Sequence, residues 1–276
     1  MPYSLINRFG GALTGALVGE ILPRPTPTEQ PQERGDRDRV VSSLSFAIAT
    51  SAQSLIATRS APPLVTETNG AIASTIPIAL YFHDNAQKLR QAIMNAIPQA
   101  IQDEGFVVAE SIAAALKTQM VPFKLLPELV QLLPDETLSQ KLRQVQILLT
   151  RRDSLAIAIQ KLGDPQQIEV AVSLAFYCWL STAEQFQLSV LRAHRIPNVS
   201  PLTLLLTGAF SGALNGRVGI PQAWLEAGAS QNDLQRMEVS ANQLLAAWSG
   251  CYQVEPDAVN GMDGVAIASP GILRPR

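Results

Sequence analysis

Charge is scarce in this chain. Only 16% of its 276 residues are Asp, Glu, Lys or Arg, and the formal net charge is −2. That balance lacks the basic stripe a nucleic acid or anionic membrane would require, so neither partner is expected. Cysteine is rarer still, with Cys178 and Cys251 alone, too few for a disulfide framework. Cys178 lies in the apolar run Ala175-Phe-Tyr-Cys-Trp-Leu180 and reads as a small hydrophobe. Histidine occurs twice, as His83 and His194. No Ser, His and acid fall in a nucleophilic pattern, and no Gly-rich loop leads to a Lys, so those two signatures are excluded. No apolar run reaches the roughly 18 residues that a membrane-spanning helix needs. The apolar stretch after Arg8 holds four glycines and Glu20, and Pro23-Arg-Pro-Thr-Pro follows where a cleavage site would stand. It therefore does not read as a signal peptide, and a cytoplasmic protein is expected. Period-two alternation is missing as well, which argues against a sheet.

What is present is apolar and helical. With 47% hydrophobic residues the chain can bury a large core. The low charge leaves room for a homo-oligomer or a stable protein partner, although a Gln/Ser/Thr surface around a generous core explains the same composition. Two glycine stripes stand out. Gly208, Gly212 and Gly216 are spaced by four, as are Gly11, Gly15 and Gly19 near the other end, so each set shares one helical face. Glycine inside a helix costs about 1 kcal/mol against alanine. Two such stripes predict two helices whose backbones approach closely at the centre of one domain.

The apolar spacing predicts helices over 9–22, 40–58, 71–82, 86–97, 105–118, 123–132, 136–150, 153–161, 165–180, 184–194, 201–216 and 230–250. Asn69-Gly70 reads as a turn before the third, which Pro77 is expected to interrupt. Residues 23–39, with four prolines and dense charge, read as a mobile surface loop. The organisation expected is one helical domain over 1–252 and an irregular tail over 253–276.

Four pieces in order carry a resemblance to a known family. They are Arg8-Phe-Gly-Gly-Ala-Leu-Thr-Gly-Ala-Leu-Val-Gly-Glu20, then Asn69-Gly-Ala-Ile-Ala-Ser-Thr-Ile-Pro-Ile-Ala-Leu80, then the helices containing Asp153–Ile159 and Val170–Leu180. The last is Thr207-Gly-Ala-Phe-Ser-Gly-Ala-Leu-Asn-Gly216 with Gly219-Ile-Pro221 and Trp224. Together they resemble the ADP-ribosylglycohydrolases, over roughly residues 8–225. The resemblance implies an all-α fold, a compact orthogonal bundle of many helices around a central metal site. It also implies hydrolysis of the glycosidic link between ADP-ribose and a side chain, with two Mg²⁺- or Mn²⁺-type ions held by Asp and Thr. Hard cations of that kind want clustered carboxylate oxygens, and they orient water and stabilise charge as the bond breaks.

At the family's metal motifs the chain departs from the pattern. The family carries Gly-Gly-Asp-x-Asp-Thr before its final Gly-striped helix. Counting back from Thr207-Gly208 puts the two acids at Val199 and Pro201 and the threonine at Leu202. A slip of one residue would bring in only Asn198, Ser200 or Thr203. The family's Asp-Asp-Thr before the second helix falls on Ser43-Leu-Ser45, and the acid ending the opening motif is kept only as Glu20. The family's Thr-His motif has no counterpart near Asn95–Ala100. The Asn69-Gly70 turn with Ser74 is the best remnant of a ligand-facing surface, and the family's Met and Arg there are Ala73 and Ser74. A vestigial pocket is thus expected from Glu20, Ser43, Ser45, Asn69, Gly70, Ser74, Asn198, Val199, Ser200 and Pro201, with no catalytic residue, no metal ligand and no cofactor.

The expectation that follows is a helical domain without metal-dependent activity, binding an ADP-ribose-like ligand or a protein partner. Two alternatives stand beside it. One is a hydrolase with a site rebuilt from Glu20, Asp36 and Asp38, although Asp36 and Asp38 alternate with Arg34, Arg37 and Arg39 as solvated charges do. The other is a structural subunit of a larger assembly. His83 suits a helix C-terminus. His194, in Arg192-Ala-His-Arg195, is expected at a solvated helix end, where that basic turn could also meet a phosphate. Trp179, Trp224 and Trp248 read as core.

Overall fold

The structure, a computed structural model, describes residues 3–22, 43–60, 62–117, 120–133, 136–228 and 231–250. The loop expected at 23–39, including Asp36 and Asp38, and the tail expected at 253–276 lie outside the described residues. Among the described residues there are thirteen α-helices and no strand. In chain order they are α1 (Leu5–Ile21), α2 (Ser43–Thr58), α3 (Thr68–Phe82), α4 (Ala86–Ala96), α5 (Gln102–Ala115), α6 (Pro122–Leu132) and α7 (Glu136–Arg151). Then follow α8 (Leu155–Leu162), α9 (Ile168–Leu180), α10 (Phe186–His194), α11 (Pro201–Asn215), α12 (Gln222–Gly228) and α13 (Gln231–Ser249).

The glycine stripes do what their spacing predicts. A Cβ on Gly11 would overlap the carbonyl of Gly212, one on Gly15 that of Gly208, and one on Gly19 that of Leu204. The register runs in opposite directions along the two chains, so α1 and α11 are antiparallel with their backbones in contact. The third glycine of the later stripe has a different task. Gly216 lies beyond the helix with φ +68°, and its N–H donates to the Gly212 carbonyl, so it ends α11 and turns the chain.

Four helices form the centre. α3 and α9 are buried on every side, from Gly70 to Tyr81 and from Val170 to Leu180, as α1 and α11 nearly are. Helices apolar all round belong in an interior. Outer helices such as α4 bury one stripe only: Leu89, Ala92, Ile93 and Ala96. Trp179 stacks on Phe210 with ring centres 5.0 Å apart, fully buried. Trp224 and Trp248 pack part-buried at the margins of the core.

Two local expectations need correction. α3 runs through Pro77 without interruption. A mid-helix proline costs about 3 kcal/mol, and burial of the whole helix against α2 and α5 outweighs that. Asn69 and Gly70 form the first turn of α3 itself. Glu67 caps it, its carboxylate accepting from the Asn69 N–H at 3.2 Å and the Gly70 N–H at 2.5 Å. Among the described residues no helix is long and apolar enough to cross a membrane.

Candidate functional site

Four helix ends meet at one pole of the bundle. The antiparallel contact sets the end of α1 against the start of α11, through Gly19 and Leu204. α2 and α3 run parallel: Gly70 faces Ala47, and the Ser51 hydroxyl donates to the Ser74 carbonyl at 2.9 Å. Their N-termini therefore share one end, and Ser45 in the first turn of α2 reaches the last turn of α1. Its hydroxyl donates to Glu20 Oε2 at 2.7 Å. A carboxylate in the last turn of α1 opposes that helix dipole. The bond from buried Ser45 offsets the conflict.

The remaining predicted residues are disposed as follows. Ser43 opens α2. Ser74 is fully buried, and its hydroxyl donates to Ala71 O at 2.6 Å, so it does not face a ligand. Asn69 is half-buried and Gly70 buried beside Glu67. At the start of α11, Ser200 is the N-cap without a side-chain capping bond, and Pro201 takes the first helical position. Val199 is 3% exposed and Leu202 0%. Thr203, the hydroxyl that a slipped register would offer, donates to Ala171 O at 3.1 Å and is committed to α9. Asn198 has φ +50°, and its carbonyl accepts from Gln166 Nε2 at 2.5 Å.

His194 stands at this pole, while His83 and Arg8 stand at the opposite end of the bundle, at the end of α3 and the start of α1. His194 is buried, and its Nε2 lies 2.9 Å from Gly19 O. The expectation of a solvated helix end is overturned, because α10 packs against α11 and presents this ring to the backbone of α1. His83 ends α3 as expected, with Nδ1 at 2.8 Å from Leu80 O and its ring edge-on to Phe9 at 5.7 Å. Arg8 donates through Nη1 to Ala115 O at 2.6 Å and Lys117 O at 3.0 Å. It caps the end of α5, and burial pulls its pKa below the usual guanidinium range. Cys178 is fully buried, which pushes its thiol up to about 12 and leaves it chemically inert. Two clefts on the described surface, of about 400 and 420 Å³, lie between α4 and α5 and between α7 and α8. No predicted site residue lines either one.

A family model for the ADP-ribosylglycohydrolases matches residues 28–253. The chain belongs to the ADP-ribosylglycohydrolase family. The match takes in α2 to α13 and leaves the opening glycine stripe before it. A solved structure described as an "ADP-ribosylglycohydrolase-related protein complex" shares the fold, with a TM-score of 0.66 and 17% identity. It covers 88% of this chain and 99% of its own. No curated protein matches the sequence.

The two divalent ions that the resemblance implies would need clustered oxygen donors. In the register that sets the motif acids at Val199 and Pro201, the glycine before them falls on Asn198. Asn198 holds a left-handed conformation, and asparagine is among the side chains that tolerate it best. In that register Val199 and Leu202 place buried alkyl side chains at two of the motif positions. On the α2 side the Ser45 hydroxyl is spent on Glu20. Among the described residues no three His, Cys, Asp or Glu side chains come together as a metal group. A hard divalent cation takes about six oxygens, and the described residues of this pole do not fit it. Glu67 is the polar residue here that sequence reasoning missed. Glutamate is an uncommon N-cap, and the Asn-Gly beside it drew the turn assignment instead.

Proposed function

We propose that this chain is a catalytically inactive member of the ADP-ribosylglycohydrolase family that uses the fold to bind, on an ADP-ribose-like ligand or a protein partner. The observation that carries this reading is the pole itself. Two carboxylates stand there and each has a structural task, Glu20 accepting from Ser45 and Glu67 capping α3, and Val199 and Leu202 stand buried and apolar where two ligands would be needed. Without paired acids there is no cation to orient water or to stabilise charge on the departing ribose. The helices around the site keep their positions because glycine contacts and capping bonds hold them independently of a metal. The structural neighbour is described as a complex, and a stoichiometric partner or homo-oligomer is proposed for this chain by analogy.

The test is incubation of the purified full chain with Mg²⁺ or Mn²⁺ and peptides ADP-ribosylated on arginine or serine. No ADP-ribose should be released, at any metal concentration. Metal-dependent release would overturn the proposal, and its loss in Asp36→Asn or Asp38→Asn would place a rebuilt site on those carboxylates. Light scattering on the purified chain, with pull-down from its native extract, tests the partner. A monomer that brings down nothing in stoichiometric amount would count against it.

A further inference from the structure

The cleft between α7 and α8 has a chemistry of its own. Gln140, Arg143, Gln144, Ile147 and Arg151 follow along one face of α7, and Lys161 of α8 closes the other side. Every charged residue in this lining is a cation, on a chain whose net charge is −2. Several of the other described guanidinium groups are engaged. Arg8 caps α5, Arg90 lies over the Phe106 ring, Arg192 over Tyr177, and Arg217 pairs with Glu238. Arg143 and Arg151 have no carboxylate, carbonyl or ring partner among the described residues. Complementing the helix dipole accounts for Arg151 in the last turn of α7. It leaves Arg143, the half-exposed Ile147 and the concavity without an explanation.

The spacing defines what would fit. Eight residues separate the two arginines, about 12 Å along the helix axis, with Ile147 midway between them and 49% exposed. Lys161, held 3.2 Å from Asp153 Oδ2, adds a second cation facing α7. The cleft, of about 420 Å³, is shallow and open to solvent, and its length along α7 suits an extended ligand. We propose that this cleft binds an elongated organic dianion. One anionic group meets Arg143, the other meets Arg151 with Lys161, and an apolar or aromatic body lies over Ile147. The Gln140 and Gln144 amides supply further donors along the same edge. The proposal does not depend on the reading of the α1–α11 pole.

A fluorescence titration of the full chain with 2,6-naphthalenedicarboxylate tests it, with 2-naphthoate and inorganic phosphate as comparisons. The dicarboxylate should bind saturably and at least about tenfold more tightly than 2-naphthoate, since a second charge-assisted contact is worth about that factor. Inorganic phosphate should compete weakly, and the affinity should fall as salt is raised. Arg143→Gln and Arg151→Gln should each erase the advantage of the second carboxylate while circular dichroism and Tm stay unchanged. The proposal is overturned if the dicarboxylate does not saturate, if both naphthalene acids bind equally, or if the double variant binds as the parent does.

Discussion

Arg8 shows how a motif residue can serve the fold alone. It is charged and nearly buried, and the hydrogen-bond partners in its structure are carbonyls at the end of α5. Those carbonyls lack intrahelical donors, so Arg8 joins the first helix to the fifth. Arg8→Met relieves a buried charge and leaves both carbonyls unmet. The second effect is the larger, and a loss of about 2 kcal/mol is expected in thermal or urea unfolding. Glu110 gives the opposite case. Burial raises its carboxyl above the usual carboxylate range, with Lys117 and Arg90 pulling it back. The folded chain then binds that proton more tightly than the unfolded chain. Its contribution favours folding at acid pH and is lost as pH rises through the folded-state value. Relative to the parent, Glu110→Gln should therefore gain stability between about pH 4 and about pH 7. Urea midpoints at the two pH values would show it, and a constant difference would refute it.

At the scale of elements, the α1–α11 contact separates two neighbouring glycines. A Cβ on Gly212 would overlap the Gly11 carbonyl, which is backbone and cannot move aside. Gly212→Ala should cost about 3 kcal/mol, at the upper end of overpacking effects. Gly10 lies on the same helix as Gly11, yet a Cβ there meets only the Arg217 side chain, at 3.6 Å from its Cβ and 4.0 Å from its Cγ. Gly10→Ala should be neutral or stabilise by up to about 1 kcal/mol through helix propensity. Thermal unfolding of the two variants should give shifts of opposite sign. Equal shifts would show that the stripe is held by something other than backbone contact. Gly216 is the glycine whose backbone angle matters, and it ends the helix that the other two glycines pack.

For the whole molecule, the antiparallel pair α1 and α11 and the parallel pair α2 and α3 bring four helix ends to one pole. Here a hydroxyl–carboxylate bond and apolar packing stand at the pole among the described residues, and on the proposed reading stability is independent of a bound ion. Millimolar Mg²⁺ or Mn²⁺ should leave Tm unchanged. A specific site filled to about a hundred times its Kd would add about 2.7 kcal/mol, which calorimetry would register as a clear upward shift.

The all-α class, most helices and the close helix pair were legible in the sequence, because they rest on local periodicity and on glycines at a fixed spacing. The absence of acids from residues 197–203 was legible too, since it is a fact of composition. Tertiary structure added the left-handed backbone at Asn198, which the sequence reading did not contain. Long-range contacts escaped the sequence reading. The burial of His194 against Gly19, the Arg8 cap on α5 and the Ser45–Glu20 bond join residues 175, 107 and 25 positions apart. No local pattern encodes such pairings. The capping of α3 by Glu67 was local and still missed, because Asn-Gly is the stronger turn signal and only packing against α2 decided for the helix. Sequence alone determined which chemical groups the chain carries and the helices they favour. Tertiary structure decided which of those groups meet, since the hydroxyl of Ser45 acquires its role only where two helix ends bring it to a carboxylate.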